Sequence, residues 1–210
     1  MRALVVPTEP NPMKLFWSKA SPYARKVRIV IREHQLLDQI EEVTVDAFTD
    51  PPDLLQASPL GRVPVLLLDD GTGLYDSRVI CAYLDELGGG GMVPSDPADR
   101  LSVMRAQALG DGTMDLAVSL ALERRKPEGE RTPTFVARWR GQLVRAVDAI
   151  AGQLPLLPRS FHLGHAAFAS ALGYLDFRHP DFNWRDGRPT LAEWYLEVGA
   201  RPSLATTLPS

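Results

Sequence analysis

A serine and a proline stand side by side where an apolar run hands over to a basic, helix-periodic one: Ser21 and Pro22, within "SKASPYARKVRIVI", residues 18–31. A serine hydroxyl at such a junction accepts from free backbone N–H groups, and proline suits the first helical turn. The same junction carries the positive end of the helix dipole, so it is also a place for an anion. Farther on, Pro64 follows Val63 at the head of an apolar run, and Asp76 and Ser77 stand before a second helical stretch that Ser77 could cap. His162 and His165 have a spacing seen in metal sites, but two histidines fall short of the three or four ligands a zinc needs. The single cysteine, Cys81, excludes an internal disulfide, a CxxC redox site and a cysteine zinc site. It reads as a small apolar side chain at a helix interface rather than a nucleophile.

Those residues need elements to hold them. "MKLFW" (13–17) is a short buried strand. From Pro22 a helix follows, with Ala24, Val27, Val30 and Ile31 on one face and Arg25, Arg28 and Arg32 away from it. Arg25, Lys26 and Arg28 read either as a solvated face or as charges that draw in an anion. Residues 40–45 form a second strand and 51–57 a short helix. "RVPVLLLDDGTGLY" (62–75) is a hairpin, with Pro64 at the start of its first arm, where a missing N–H does least harm. A helix over 76–87 turns Ile80, Leu84 and Leu87 inward. The order over 13–87 is β-α-β-α-β-β-α.

Four consecutive glycines then mark a linker over 88–97, since glycine is costly in a helix. Beyond it the pattern is helical over 98–210: a long helix over 98–124, one over 133–153, a nearly all-apolar and therefore central helix over 163–176, and a last one over 190–199. That last helix has Thr190 and Glu193 at capping-box spacing and Gly199 as a stop. The long helix contains Gly110 and Gly112, beside Asp111 and Asp115. These read either as close helix packing or as a widened pocket with Tyr23, Met104 and Ala108 nearby. Met1 to Pro12 reads as a loose tail or an over-extended start, with the fold beginning at Met13.

Bulk properties narrow the function. With 210 residues and 45% hydrophobic content the chain is long enough for a core that needs no metal staple. A net charge of -3 argues against a nucleic-acid binder. No apolar run approaches the roughly 20 residues that span a membrane. The amino-terminal segment is too weak for a secretory signal and the lone cysteine favours the cytosol, so a cytoplasmic protein is expected.

A small α/β unit with a hairpin, a glycine linker and an all-helical half resembles the glutathione S-transferase family. "SPYARKVRI" resembles the strand-to-helix motif of its serine- and cysteine-type classes, such as zeta and omega. "SPLGRVPVL" resembles the segment around its cis-proline, "LYDSRVICAYLDE" its acidic-plus-serine motif, and "ALGYLDFR" its bacterial members. The resemblance covers about 13–208. It implies an α/β plus all-α architecture: a thioredoxin-like glutathione-binding domain (13–87), the linker, and a helical domain (98–210). It also implies a homodimer, with glutathione as co-substrate, no metal, and a small electrophilic molecule as second substrate, as in detoxification.

Carried onto this sequence, the resemblance makes Ser21 the catalytic residue. A free thiol has a pKa near 8.5, and lowering it by two units takes about 2.7 kcal/mol of preference for the anion. A hydroxyl donor and a helix end supply energies of that order. Ser18, three residues earlier, competes for the role. A cis bond between Val63 and Pro64 would present Val63 to the cysteinyl part of glutathione. Asp76 and Ser77 would hold the γ-glutamyl ammonium and carboxylate, Arg62 would reach the glycyl carboxylate, and Tyr23 would lie beside the site. Rival outcomes are a glutathione-dependent isomerase or dehalogenase, and a binding or regulatory protein without activity. A thiol-transferring reductase fits less well, because the matched residue is serine. One departure from the family pattern is that His162 and His165 replace the serine or threonine and the aspartate that cap its buried helix.

Overall fold

Side-chain alternation along the first strand sets the layering. In β1 (Met13–Trp17), Leu15 and Phe16 are both buried, and successive residues of a strand point to opposite faces. Leu15 packs with Val27 and Val30 of α1 (Pro22–Glu33) and with Ile80 and Leu84 of α3 (Ser77–Leu87). Phe16 packs with Leu54 and Ala57 of α2 (Pro52–Ala57) and with Val65. Helices therefore cover both faces of the sheet. The sheet runs β2 (Ile40–Thr44), β1, β3 (Val65–Leu67), β4 (Gly73–Leu74). β1 is parallel to β2 and antiparallel to β3, with Leu15 opposite Leu66 and Phe16 opposite Val65. The computed structural model describes residues 12–210, so the tail expected over 1–12 lies, up to residue 11, outside the described residues.

The second half holds α4 (Pro97–Arg125), α5 (Pro133–Gln153), α6 (Leu163–Arg178), α7 (Pro189–Gly199) and the short α8 (Pro202–Ala205). The first three match the expected helices closely, and α6 is buried along nearly its whole length. α7 differs in its start: it begins at Pro189 behind Arg188 and no side chain caps it, so Thr190 and Glu193 make no capping box. Pro189 supplies the first-turn residue instead, where a missing N–H costs nothing. Leu87 is exposed rather than turned inward, because α3 ends there. No helix among the described residues is long and apolar enough to cross a membrane.

α1 departs most from its sequence pattern. It is buried on nearly every side, because the sheet covers one flank and α4 and α6 the other. Its cations are neither solvated nor free to attract an anion. Arg25 donates to the carbonyl of Ala169 on α6 at 3.3 Å. Arg28 and Arg32 pair with Glu42 on β2, and the Arg28 guanidinium lies 3.7 Å over the Trp17 ring. Lys26, wholly buried, places Nζ 2.5 Å from Oδ1 of Asp111 on α4, and Arg78 of α3 donates to the other oxygen of Asp111 at 2.9 Å. One buried carboxylate thus ties three helices from both domains together.

Helix α4 lies against α6 through small residues. A Cβ at Gly110 would stand 2.8 Å from the backbone carbon of Ala167, closer than atoms pack, whereas one at Gly112 would meet nothing within 4 Å. Close packing therefore explains Gly110. The glycine linker is also held. Asp85 of α3 accepts from the N–H groups of Met92 and Val93, both at 2.9 Å, and from His34 Nε2 at 2.8 Å. Met92 in turn accepts from Leu163 N–H at the start of α6.

At that start a histidine takes over the cap. His162 Nδ1 accepts from His165 N–H at 3.3 Å, and the two rings stack with centroids 3.8 Å apart. Burial holds His162 down to about 4, and burial with the neighbouring His162 holds His165 down to about 3. The cap and the ring stack therefore require neutral imidazoles, and Arg201, stacked over the adjacent Phe161 ring, adds a positive neighbour.

Three outcomes follow. Gly110→Ala should cost about 1–3 kcal/mol of stability by overpacking, while Gly112→Ala should be neutral or stabilising by up to about 1 kcal/mol, as read by denaturant titration. Lys26→Met should cost about 3–5 kcal/mol by leaving one buried oxygen of Asp111 unpaired beside the one Arg78 holds, and Lys26→Met with Asp111→Leu should recover most of it. The histidine pair binds protons near pH 6.5 when unfolded but only near pH 4 and below when folded. Stability should therefore be intact above pH 6.5 and fall as pH drops toward 4, by up to about 1.4 kcal/mol per pH unit for each histidine. His162→Ser, which keeps a capping oxygen, should flatten that fall in equilibrium unfolding across pH.

Candidate functional site

A cleft of about 1240 Å³ opens between the two domains. Its amino-terminal wall is built by three junctions: the β1–α1 turn, the segment leading into β3, and the β4–α3 turn. Ser18, Ser21, Tyr23, Arg62, Val63, Pro64, Asp76 and Ser77 all line this one space, so the structure brings every sequence-selected binding residue together.

Ser21 is the N-cap of α1, its Oγ accepting from Ala24 N–H at 3.2 Å. Capping uses the oxygen as an acceptor and leaves the hydroxyl proton to donate into the cleft, so the cap and a thiolate-facing donor are compatible roles. The first turn of α1 carries no acidic residue, and the N–H end of its dipole is uncompensated by charge there. Ser18 stands just past β1, its carbonyl accepting from Ser21 N–H at 3.0 Å. Tyr23 donates its hydroxyl to Asp115 of α4 at 2.6 Å. Burial and that carboxylate push the phenol far above its ordinary range, so it stays protonated and committed to Asp115.

The Val63–Pro64 bond is cis, and among the described residues Val63 makes no backbone hydrogen bond outside the sheet, which begins only at Val65. Its N–H and C=O are thus open to an extended partner. At the third junction the expected cap is corrected. Asp76, not Ser77, caps α3, with Oδ1 accepting from Arg78 N–H at 2.9 Å. Ser77 is the first helical residue and is buried. An aspartate reaches the second N–H of a helix as well as a serine does. Asp76 remains exposed at the cleft with Oδ2 uncommitted. Arg62 is exposed at the rim.

The opposite wall comes from the carboxyl-terminal halves of α4 and α6: Asp115, Val118, Leu122, Arg125, Tyr174 and Arg178. Met104 and Ala108, expected beside this space, instead line a separate hollow of about 310 Å³ between α3 and α4. Those two lie at the amino-terminal half of α4, about two turns before the cleft wall begins, so the helix carries them away from it. Cys81 is fully buried and its thiol is pushed up to about 12 by burial, which makes it inert. His162 and His165 lie at the base of α6, not in the cleft, and no group of three or more metal-ligating side chains forms among the described residues.

Sequence reasoning named Lys26 and Asp111 but missed that they pair with each other and with Arg78, the linkage that fixes the geometry of this wall. A signal existed: Lys26 is one turn from Val30, on the buried side, and a lysine in an apolar stripe demands a buried partner. Arg125, Tyr174 and Arg178 were missed because nothing local says that two helix ends, far apart in sequence, share one cleft.

The chain matches the glutathione S-transferase N-terminal domain over residues 20–87 and the glutathione S-transferase C-terminal domain over 133–197. It is 32% identical over 202 residues to an uncharacterized GST-like protein of Escherichia coli, YibF, covering 94% of this chain and 98% of that one. A solved glutathione transferase family member from Pseudomonas fluorescens with bound glutathione is 35% identical, covering 94% of this chain and 99% of its own, with a TM-score of 0.88. A glutathione S-transferase from Methylobacillus flagellatus, also with glutathione bound, is 36% identical over 94% of this chain and 100% of its own, again with a TM-score of 0.88. With a matching relative along nearly its whole length and a family domain in each half, the chain belongs to the glutathione S-transferase family.

Proposed function

We propose that the cleft binds glutathione, holds its thiol as a thiolate, and directs that thiolate at a small electrophilic carbon. The observation that carries this is Ser21 on the cleft wall, whose oxygen accepts the α1 capping bond, a bond that does not use its proton. Ser21 donates to the sulfur, and the amino end of α1 adds a fixed positive potential; together these supply the roughly 2.7 kcal/mol that a two-unit drop in thiol pKa requires. The open backbone of Val63, ahead of the cis Pro64, pairs with the cysteinyl unit. Asp76 Oδ2 takes the ammonium, and Ser77 with the first turn of α3 takes the γ-glutamyl carboxylate. Arg62 reaches the glycyl carboxylate. Tyr23 contributes its ring and not its hydroxyl, which Asp115 already holds.

Relatives solved with glutathione bound support the ligand. Exposed Val79 on α3 and Leu101 and Met104 on α4 support pairing of two copies along those helices. The reading needs no metal and no cysteine nucleophile.

Titration of glutathione, followed by calorimetry and by the ultraviolet absorbance of the thiolate, tests it. Wild type should bind glutathione and show thiolate at neutral pH. Ser21→Ala should raise the pKa of the bound thiol by about one unit or more, about 1.4 kcal/mol, with affinity little changed. It also removes a cap, at about 1 kcal/mol of stability. Ser21→Gly, which costs a cap only a few tenths, should show the same thiol shift. If Ser18→Ala moves the thiol and both Ser21 variants do not, Ser18 is the activating residue. Binding without thiolate at any moderate pH would leave a glutathione-binding protein and not a transferase.

A further inference from the structure

The far wall of the cleft carries two arginines, Arg125 at the end of α4 and Arg178 at the end of α6. Both are held by rings instead of carboxylates. Arg125 lies 5.3 Å over Phe48, which reaches across from the segment between β2 and α2, and Arg178 lies 4.2 Å over Phe177. Among the described residues neither has a carboxylate within ion-pair distance, whereas the adjacent Arg124 is tied to Asp181 at 2.8 Å. A guanidinium stacked by its face keeps its edge N–H groups free, and that edge matches a carboxylate bidentately. The carboxylates along the cleft are turned to other partners: Asp115 holds Tyr23, Asp46 the N–H of Phe48 and Asp76 the N–H of Arg78, each with one oxygen, and neither these nor Ser210, which also lines the cleft, pairs with the two arginines. Tyr174, buried on the same wall, has its phenol raised by burial and pulled back by Arg178, through its charge and a hydrogen bond, and by the charge of Arg125, which places all three in one electrostatic neighbourhood.

We infer that Arg125 and Arg178 form an anion subsite for the second substrate, so that the electrophile this protein takes carries a carboxylate. The inference rests on the proposed glutathione site, because both carboxylates of glutathione are assigned there to the amino-terminal domain and leave these arginines to the other partner. The subsite lies on the helical wall, and Val118 and Leu122 beside it supply apolar contact for the carbon skeleton.

Two glutathione conjugates of the same shape test this by calorimetry: S-(2-carboxyethyl)glutathione and its neutral amide, S-(2-carbamoylethyl)glutathione. Wild type should bind the acid about tenfold or more tighter than the amide, as expected for a charge-assisted hydrogen bond. The preference should shrink with added salt. Arg178→Met should reduce the acid-to-amide ratio, and Arg125→Met with Arg178→Met should bring it close to one. Equal binding of acid and amide by wild type, with glutathione itself bound, overturns the anion subsite and leaves the glutathione reading standing. An acid preference that survives unchanged in the double variant overturns the assignment to these arginines. Failure of wild type to bind glutathione and both conjugates overturns the glutathione reading and the subsite with it.

Discussion

The buried contact between Lys26 and Asp111 is the constraint on which the cleft depends. Two charges taken out of water cost several kcal/mol each, so they persist only when they satisfy each other and their remaining hydrogen bonds. Here Asp111 answers Lys26 of α1 with one oxygen and Arg78 of α3 with the other. The helices so joined begin at the two junctions that face the cleft, at Ser21 and at Asp76. A hydrophobic contact in the same place would hold the domains together but tolerate a shift of an ångström or so. Charge-assisted hydrogen bonds at 2.5 and 2.9 Å are directional, and they fix the spacing between the two helix ends. A ligand spanning both ends meets a ruler that was set during folding.

The site itself is economical in its chemistry. Each of its three junctions uses a feature that folding already requires: a helix cap at Ser21, a proline turn at Pro64, a second cap at Asp76. Ordinary capping leaves something over in every case. Ser21 keeps a proton to give, Val63 keeps its backbone pair, and Asp76 keeps an oxygen. Structural and functional readings of these residues are therefore not competitors, which is why single-residue reasoning from the sequence leans toward the structural one.

Much of the fold was legible because its signals are local. Apolar runs bounded by proline and glycine placed the strands and the hairpin, and the 3.6-residue stripe placed α5 and α6 to within a residue or two. The candidate site residues came from motifs, and all of them line one cleft. What failed depends on neighbours distant in the chain. α1 looked amphipathic, yet the second domain covers its outer flank, so Arg25 and Lys26 are inside. Met104 and Ala108 were placed at the wrong wall because α4 is long enough to serve two hollows. Asp76 rather than Ser77 caps α3, a choice between adjacent good caps that only backbone dihedrals resolve. The α6 cap shows the reverse: an imidazole nitrogen does the work of a hydroxyl, and the helix begins where a serine would have begun it.

The glycine run between the domains looks like a hinge, but Asp85 fastens it. With Met92 and Val93 held by that carboxylate, and Leu163 held by Met92, bending there would break three backbone attachments at once. Rigid-body gaping of the two lobes is thus a poor route for traffic. The mouth is held differently: there the exposed ring of Phe48 faces the Arg125 guanidinium across the cleft at 5.3 Å, a contact that spends none of the guanidinium's N–H groups.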